Sequence, residues 1–120
     1  MTGKPFSMCP HFPRVAAAAM SLAVLFGTAR AEDHTAAARK HAAEAATATD
    51  SMAISHHTAE ALKHVEAAKA VHADKPHVLK HIEKGEAELK HANNHAHWFN
   101  THSAADHAED GRAHLEAAEK

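Results

Sequence analysis

Four pairs of histidines stand seven residues apart: His34 and His41, His57 and His64, His95 and His102, and His107 and His114. Seven residues is two turns of an α-helix, so both members of a pair project from nearly the same side of it. Ala, Glu, Lys and Leu fill the intervals at helical spacing, and no strand-like alternation interrupts them, which restricts this chain to an all-α fold. Turn signals at Thr49-Asp50-Ser51 to Ser55, Ala73-Asp74-Lys75-Pro76 and Asn93-Asn94 through Asn100 divide it into stretches near 33–49, 55–73, 76–94 and 102–119. Asp33, Ser55, Asp74 and Ser103 stand where N-caps belong, with Asp106 completing an acidic capping box after Ser103. Connections this short favour neighbours that run in opposite directions, hence an up-down-up-down antiparallel four-helix bundle.

The apolar stripes are thin. Leu62, Val65 and Ala68 with Ala61 form one, Val78, Leu79, Ile82 and Leu89 a second, and Ala104, Ala108, Leu115 and Ala118 a third, whereas the first helix offers almost only alanine. Few large side chains set against the entropy of ordering the chain predict marginal stability without a ligand. Gly85 and Gly111 inside helices each cost about 1 kcal/mol relative to Ala. Trp98 and Phe99 are expected to plug the core near the third turn.

The first 31 residues read as a secretory signal peptide. Lys4 and Arg14 precede an apolar run from Val15 to Ala29, and Ala29-Arg30-Ala31 fits a small-x-small cleavage site. The run is shorter than the roughly 20 residues of a spanning helix. Cleavage would leave residues 32–120 as one domain without cysteine, excluding disulfides, thiolate metal sites and cysteine nucleophiles. It would also remove Lys4, Arg14 and Arg30 and no acid, so 13 − 3 = 10 bases face 15 acids, a net charge of −5 with neutral imidazoles. Such a surface is unsuited to nucleic acid. With an ordinary imidazole pKa of about 6.5, the remaining histidines would turn it cationic in acid.

Fourteen histidines in that domain call for a chemical reason, because histidine is a mediocre helix former. Two heptad pairs enclose an acid, His57-x2-Glu60-x3-His64 and His107-x2-Asp110-x3-His114. Positions seven apart are separated by about 10.5 Å along a helix, whereas metal–nitrogen bonds are about 2 Å, so one ion cannot join a pair. Glu60 and Asp110 lie three and four residues from their histidines, close enough to share an ion with one of them. His77 and His81, and His91 and His95, are four apart and suited to direct chelation, with Glu88 three residues before His91. These five residues occupy the helix side away from Val78, Ile82 and Leu89, facing water or a neighbouring helix edge. The candidate ligands are therefore His34, His41, His57, Glu60, His64, His77, His81, Glu88, His91, His95, His102, His107, Asp110 and His114. Imidazole with carboxylate and no thiolate disfavours Cu(I) and suits Cu(II) first, then Ni(II) or Zn(II). With two or three protein ligands per unit, several weak to moderate sites are expected.

The stretch from His57 to His91, HTAEALKHVEAAKAVHADKPHVLKHIEKGEAELKH, resembles the small metal-binding proteins of the bacterial periplasm, which are short His-rich four-helix bundles. The resemblance extends over residues 33–119 and implies a periplasmic protein that holds several divalent ions, copper foremost, in sequestration or tolerance. The first helix departs from the pattern, having no acid between His34 and His41, and so does His91 to His102 with its extra histidines and Trp98-Phe99. An enzyme is not expected: a di-iron oxidase needs Glu-x-x-His on two helices and only Glu88-x-x-His91 is present, and H-E-x-x-H and C-x-x-C-H are absent. The alternative is a role without metal, as a periplasmic helical interaction protein or a pH-responsive chaperone.

Overall fold

The computed structural model describes residues 34–120; the expected signal peptide and the Asp33 cap lie outside them. Four helices and no strand are found among the described residues. α1 covers 34–47, α2 Ser51–Val71, α3 Pro76–His97 and α4 Thr101–Ala118. The all-helical expectation holds, and the helix starts differ in ways that follow from the caps.

Asp50, not Ser55, caps α2: its carboxylate accepts from the backbone N–H groups of Met52 at 3.3 Å and Ala53 at 3.2 Å. The chain therefore re-enters a helix at once, and Ser55 is free to donate to Asn93 Oδ1 of α3 at 2.9 Å. Lys75 rather than Asp74 flanks α3 and makes no side-chain cap; Pro76 takes the first helical position, where its fixed φ suits the helix and its missing N–H would be unpaired anyway. Asn93 and Asn94 do not end α3. Asn93 is used inside it as an acceptor for Ser55 and, at 3.3 Å, for Thr58 of α2. Asn100, not Ser103, caps α4 by accepting from Ser103 N–H at 3.3 Å, and Asp106 faces His102 instead of closing a capping box.

One core cluster joins Ala38 and Ala42 of α1, Ala61, Val65 and Ala68 of α2, Ile82 and Leu89 of α3, and Leu115 and Ala118 of α4. A second joins Ala45, Ile54, Ala92, Ala96, Ala104 and Ala108. Leu62, Val78 and Leu79 are only half-buried. Where the large side chains run out, alanine lets the helices approach. At Gly85 and Gly111 even a methyl group would be tight: a Cβ on Gly85 would lie 3.1 Å from Leu115 Cγ, and one on Gly111 would lie 3.0 Å from Leu89 Cγ. The two glycines are thus the contact that seats α3 on α4, and the helix-propensity reading of them as simple costs misses this. Ion pairs link further elements, Arg39 to Glu119 at 2.6 Å and Lys69 to the buried Glu86 at 2.7 Å. Burial pushes the Glu86 carboxyl up, but hydrogen bonds from Lys69 and Lys90 outweigh it and hold the group below its ordinary value.

The two halves of the fold repeat each other at an interval of fifty residues. The caps Asp50 and Asn100, the helix starts Ser51 and Thr101, and the buried positions Ile54/Ala104, Thr58/Ala108, Ala61/Gly111, Val65/Leu115 and Ala68/Ala118 correspond one to one. So do His57/His107, Glu60/Asp110 and His64/His114, and Lys40-His41-Ala42 matches Lys90-His91-Ala92. The expected Trp98-Phe99 plug is not part of this plan. Both residues lie outside the core, 83 % and 81 % exposed, in the short turn between the end of α3 and the Asn100 cap of α4. No helix among the described residues is long and apolar enough to cross a membrane.

Candidate metal centres

The heptad spacing that prevents one helix from closing on an ion is resolved between helices. Along the contact of α1 with α2 the imidazoles interleave. His34 and His64 bring their Nδ1 atoms to 3.1 Å, His41 stacks on His64 with ring centroids 5.6 Å apart, and His41 stacks on His57 at 6.0 Å. Glu44, one turn beyond His41, completes a group. Its Oε2 lies 2.9 Å from His41 Nδ1 and 3.1 Å from His57 Nδ1, and ligand atoms of the three residues lie within 4.8 Å of one another. Two atoms each about 2.0–2.1 Å from one ion, at angles of 90–110°, are separated by about 2.9–3.4 Å, so the spacings fit ligation. His57 Nδ1 is buried and makes no hydrogen bond, despite its nearness to Glu44, because the geometry between them is unfavourable. A buried ring nitrogen without a partner is a cost that an ion would relieve.

The second group lies where α3 meets α4 and comprises Glu88, His107 and Asp110. Glu88 Oε2 is 2.7 Å from His107 Nδ1, and the rings of His91 and His95 lie against His107 at centroid distances of 5.4 and 5.1 Å. The imidazole pair His91–His107 is the fifty-residue counterpart of His41–His57. The acids are not counterparts: Glu44 follows His41 by three, whereas Glu88 precedes His91 by three. Each group remains half-buried except for exposed Asp110.

The remaining expected ligands fall in three situations. His34 and His64 form the close pair above. His64 is held below the ordinary imidazole value by burial and by the positive potential of His34 and His41. His77 and His81 meet edge to face at 5.0 Å rather than side by side, with His114 near enough to affect His81. Burial, then His77 and Lys84, lower the His81 pKa, and its Nδ1 has no partner. Glu60 and His102 are not brought into either group. Glu60 accepts from Lys63 at 2.6 Å, which holds its carboxyl below the ordinary range, and His102 is 91 % exposed beside Asp106. His95 and His102 also sit on different helices, α3 and α4, so their interval of seven is no helical repeat.

Glu44 is the candidate ligand that sequence reasoning missed. Its signal was present, since it stands at the same three-residue distance from His41 as Glu60 does from His57. Attention to acids between paired histidines hid an acid beyond the pair. Compared with protein-family models, with curated proteins and with solved structures, the chain matches none.

Proposed function

We propose that this protein binds several divalent transition-metal ions along its two helix–helix seams, Cu(II) first and Ni(II) or Zn(II) after it, as a periplasmic buffer. Cleavage after Ala31 would deliver it there, and the fold would be an antiparallel up-down-up-down bundle. The observation that carries this reading is the group His41, Glu44 and His57, with ligand-compatible spacings of 2.9 and 3.1 Å and a buried, unsatisfied ring nitrogen. The second group, Glu88, His107 and Asp110, supports it independently. Neutral imidazole with carboxylate places Cu(II) at the top of the affinity order. Half-buried groups with few protein ligands leave coordination positions open, which suits ions that are taken up and given back. Sequestration or tolerance, without catalysis, follows from that exchange.

Equilibrium dialysis against Cu(II), Ni(II) and Zn(II) at neutral pH tests the proposal. At least two Cu(II) per chain are expected, one for each group. Glu44→Ala is expected to remove one of them, while Glu60→Ala, whose carboxylate is engaged by Lys63, leaves the number unchanged. Binding of less than one ion per chain would overturn the reading and favour a helical protein without a metal role.

A further inference from the structure

The turns that join α1 to α2 and α3 to α4 have the same length and stand fifty residues apart. The first closes with Ala48 and Thr49, and the second with Trp98 and Phe99. The backbones differ, since Phe99 but not Thr49 has a positive φ, yet a connection of this length is made in the first turn without an aromatic residue. The second turn moreover holds Phe99 at φ 57°, a left-handed conformation that favours glycine. Trp98 and Phe99 are 83 % and 81 % exposed, and Met52 beside them at the start of α2 is 78 % exposed. Next to these three lies an open cleft of about 430 Å³ between Met52, Ser55 and Ala59 on one side and Ala96, His97 and Phe99 on the other. A projecting aromatic knob and a cleft large enough for an indole thus share one face.

We propose that this face docks a second copy of the chain, each copy placing Trp98 in the other's cleft. Knob and cleft on one patch are self-complementary, which is the requirement of a two-fold contact. Charge favours the same occupant. The chain carries a formal net charge of −2, yet no Lys or Arg lies between Lys40 and Lys63 or between Lys90 and Arg112, the segments that form this end. Asp50 there keeps its charge, directed at the backbone N–H groups at the positive end of α2. The three projecting side chains Met52, Trp98 and Phe99 are themselves uncharged and suit a second copy of the same apolar patch, whereas an anionic lipid surface or nucleic acid would find no fixed cation. Aromatic side chains bury about 150–250 Å² each. Four of them across the contact, with two copies of Met52, reach about the 1,000 Å² that a specific contact requires, which fits a reversible dimer.

The test is sedimentation velocity with tryptophan emission, on the protein purified as cells deliver it, from micromolar to near-millimolar concentration at pH 7.5 with a chelator. The chelator keeps the result independent of metal binding, so either proposal can fail alone. A concentration-dependent monomer-to-dimer transition is expected, with the emission moving to the blue, since Trp98 is the chain's one tryptophan. Trp98→Ala combined with Phe99→Gly is expected to weaken association about tenfold or more while circular dichroism stays helical. Met52→Glu, at an exposed position where folding is not at stake, is expected to do the same by placing like charges across the contact. A protein that stays monomeric throughout overturns the proposal. So does a dimer undiminished in both variants, or a blue shift that appears only with phosphatidylcholine or phosphatidylglycerol vesicles.

Discussion

Single residues carry consequences here that composition conceals. Gly111 reads along the chain as a weak point in α4, where alanine would add about 1 kcal/mol of helix propensity. In the fold a Cβ there meets Leu89 Cγ at 3.0 Å and the Gly85 carbonyl oxygen at 3.3 Å, so Leu89 and the α3 backbone must give by a few tenths of an ångström to admit it. Gly111→Ala is accordingly expected to destabilise the protein by about 1–2 kcal/mol, overpacking outweighing propensity, as a fall of several degrees in the thermal midpoint. Phe99 is the opposite case. Its φ of 57° sits at the end of α3, where the N–H groups of Phe99 and Asn100 bond to the carbonyls of Ala96 and His95 at 3.0 and 2.9 Å. Glycine satisfies that closing motif without a Cβ penalty. Phe99→Gly is expected to raise stability by about 1 kcal/mol in the monomer, measured by thermal denaturation at low concentration. An unchanged or lower midpoint would mean that the exposed ring contributes packing of its own.

At the scale of elements, periodicity identified helices well and their ends poorly. Propensity sees the turn-forming residues but not which of them acts as cap, acceptor or helix interior. Thus Asp50 starts α2 four residues before the expected start at Ser55, and Asn93 stays inside α3 because Ser55 and Thr58 use its side chain. The histidines behave similarly: their spacing predicts a face, and only the partner helix determines which rings meet. His64 lies in the contact of α1 with α2, and His81 carries a buried nitrogen on α3. Burial first, then positive neighbours, lowers both imidazoles from their ordinary value. The folded protein therefore prefers them neutral, while the unfolded chain takes up protons at about 6.5. The unfolded state binds more protons below that point, so the stability from neutral packing is present above pH 6.5 and is lost as pH falls through and below it. In chelator, the urea midpoint is expected to be lower at pH 5.5 than at 7.5, and His64→Gln is expected to flatten the difference. A midpoint independent of pH over this range would show that the seams tolerate charged imidazoles.

For the whole molecule, the fully buried large side chains are few, Ile54, Ile82, Leu89, Leu115 and Val65, and alanine supplies most of the remaining core. Ligation across α1 and α2 and across α3 and α4 would tie together helices that this core holds weakly. Metal binding to the folded form alone stabilises it by RT ln(1 + [L]/Kd), about 2.7 kcal/mol at a hundredfold excess over Kd. Cu(II) is thus expected to raise the thermal midpoint by several degrees and to lose that effect as the imidazoles protonate in acid. A melt unmoved by excess Cu(II) would count against binding coupled to the fold. Local, periodic information was enough to specify helices, the alanine-lined faces and the imidazole-rich sides, because one helical turn relates those residues through the backbone itself. Which rings face each other, that Glu44 rather than Glu60 joins His41 and His57, that two glycines form a contact, and that Trp98 and Phe99 point outward depend on how separate helices pack. Those outcomes come from distances between residues tens of positions apart, which no short-range spacing encodes.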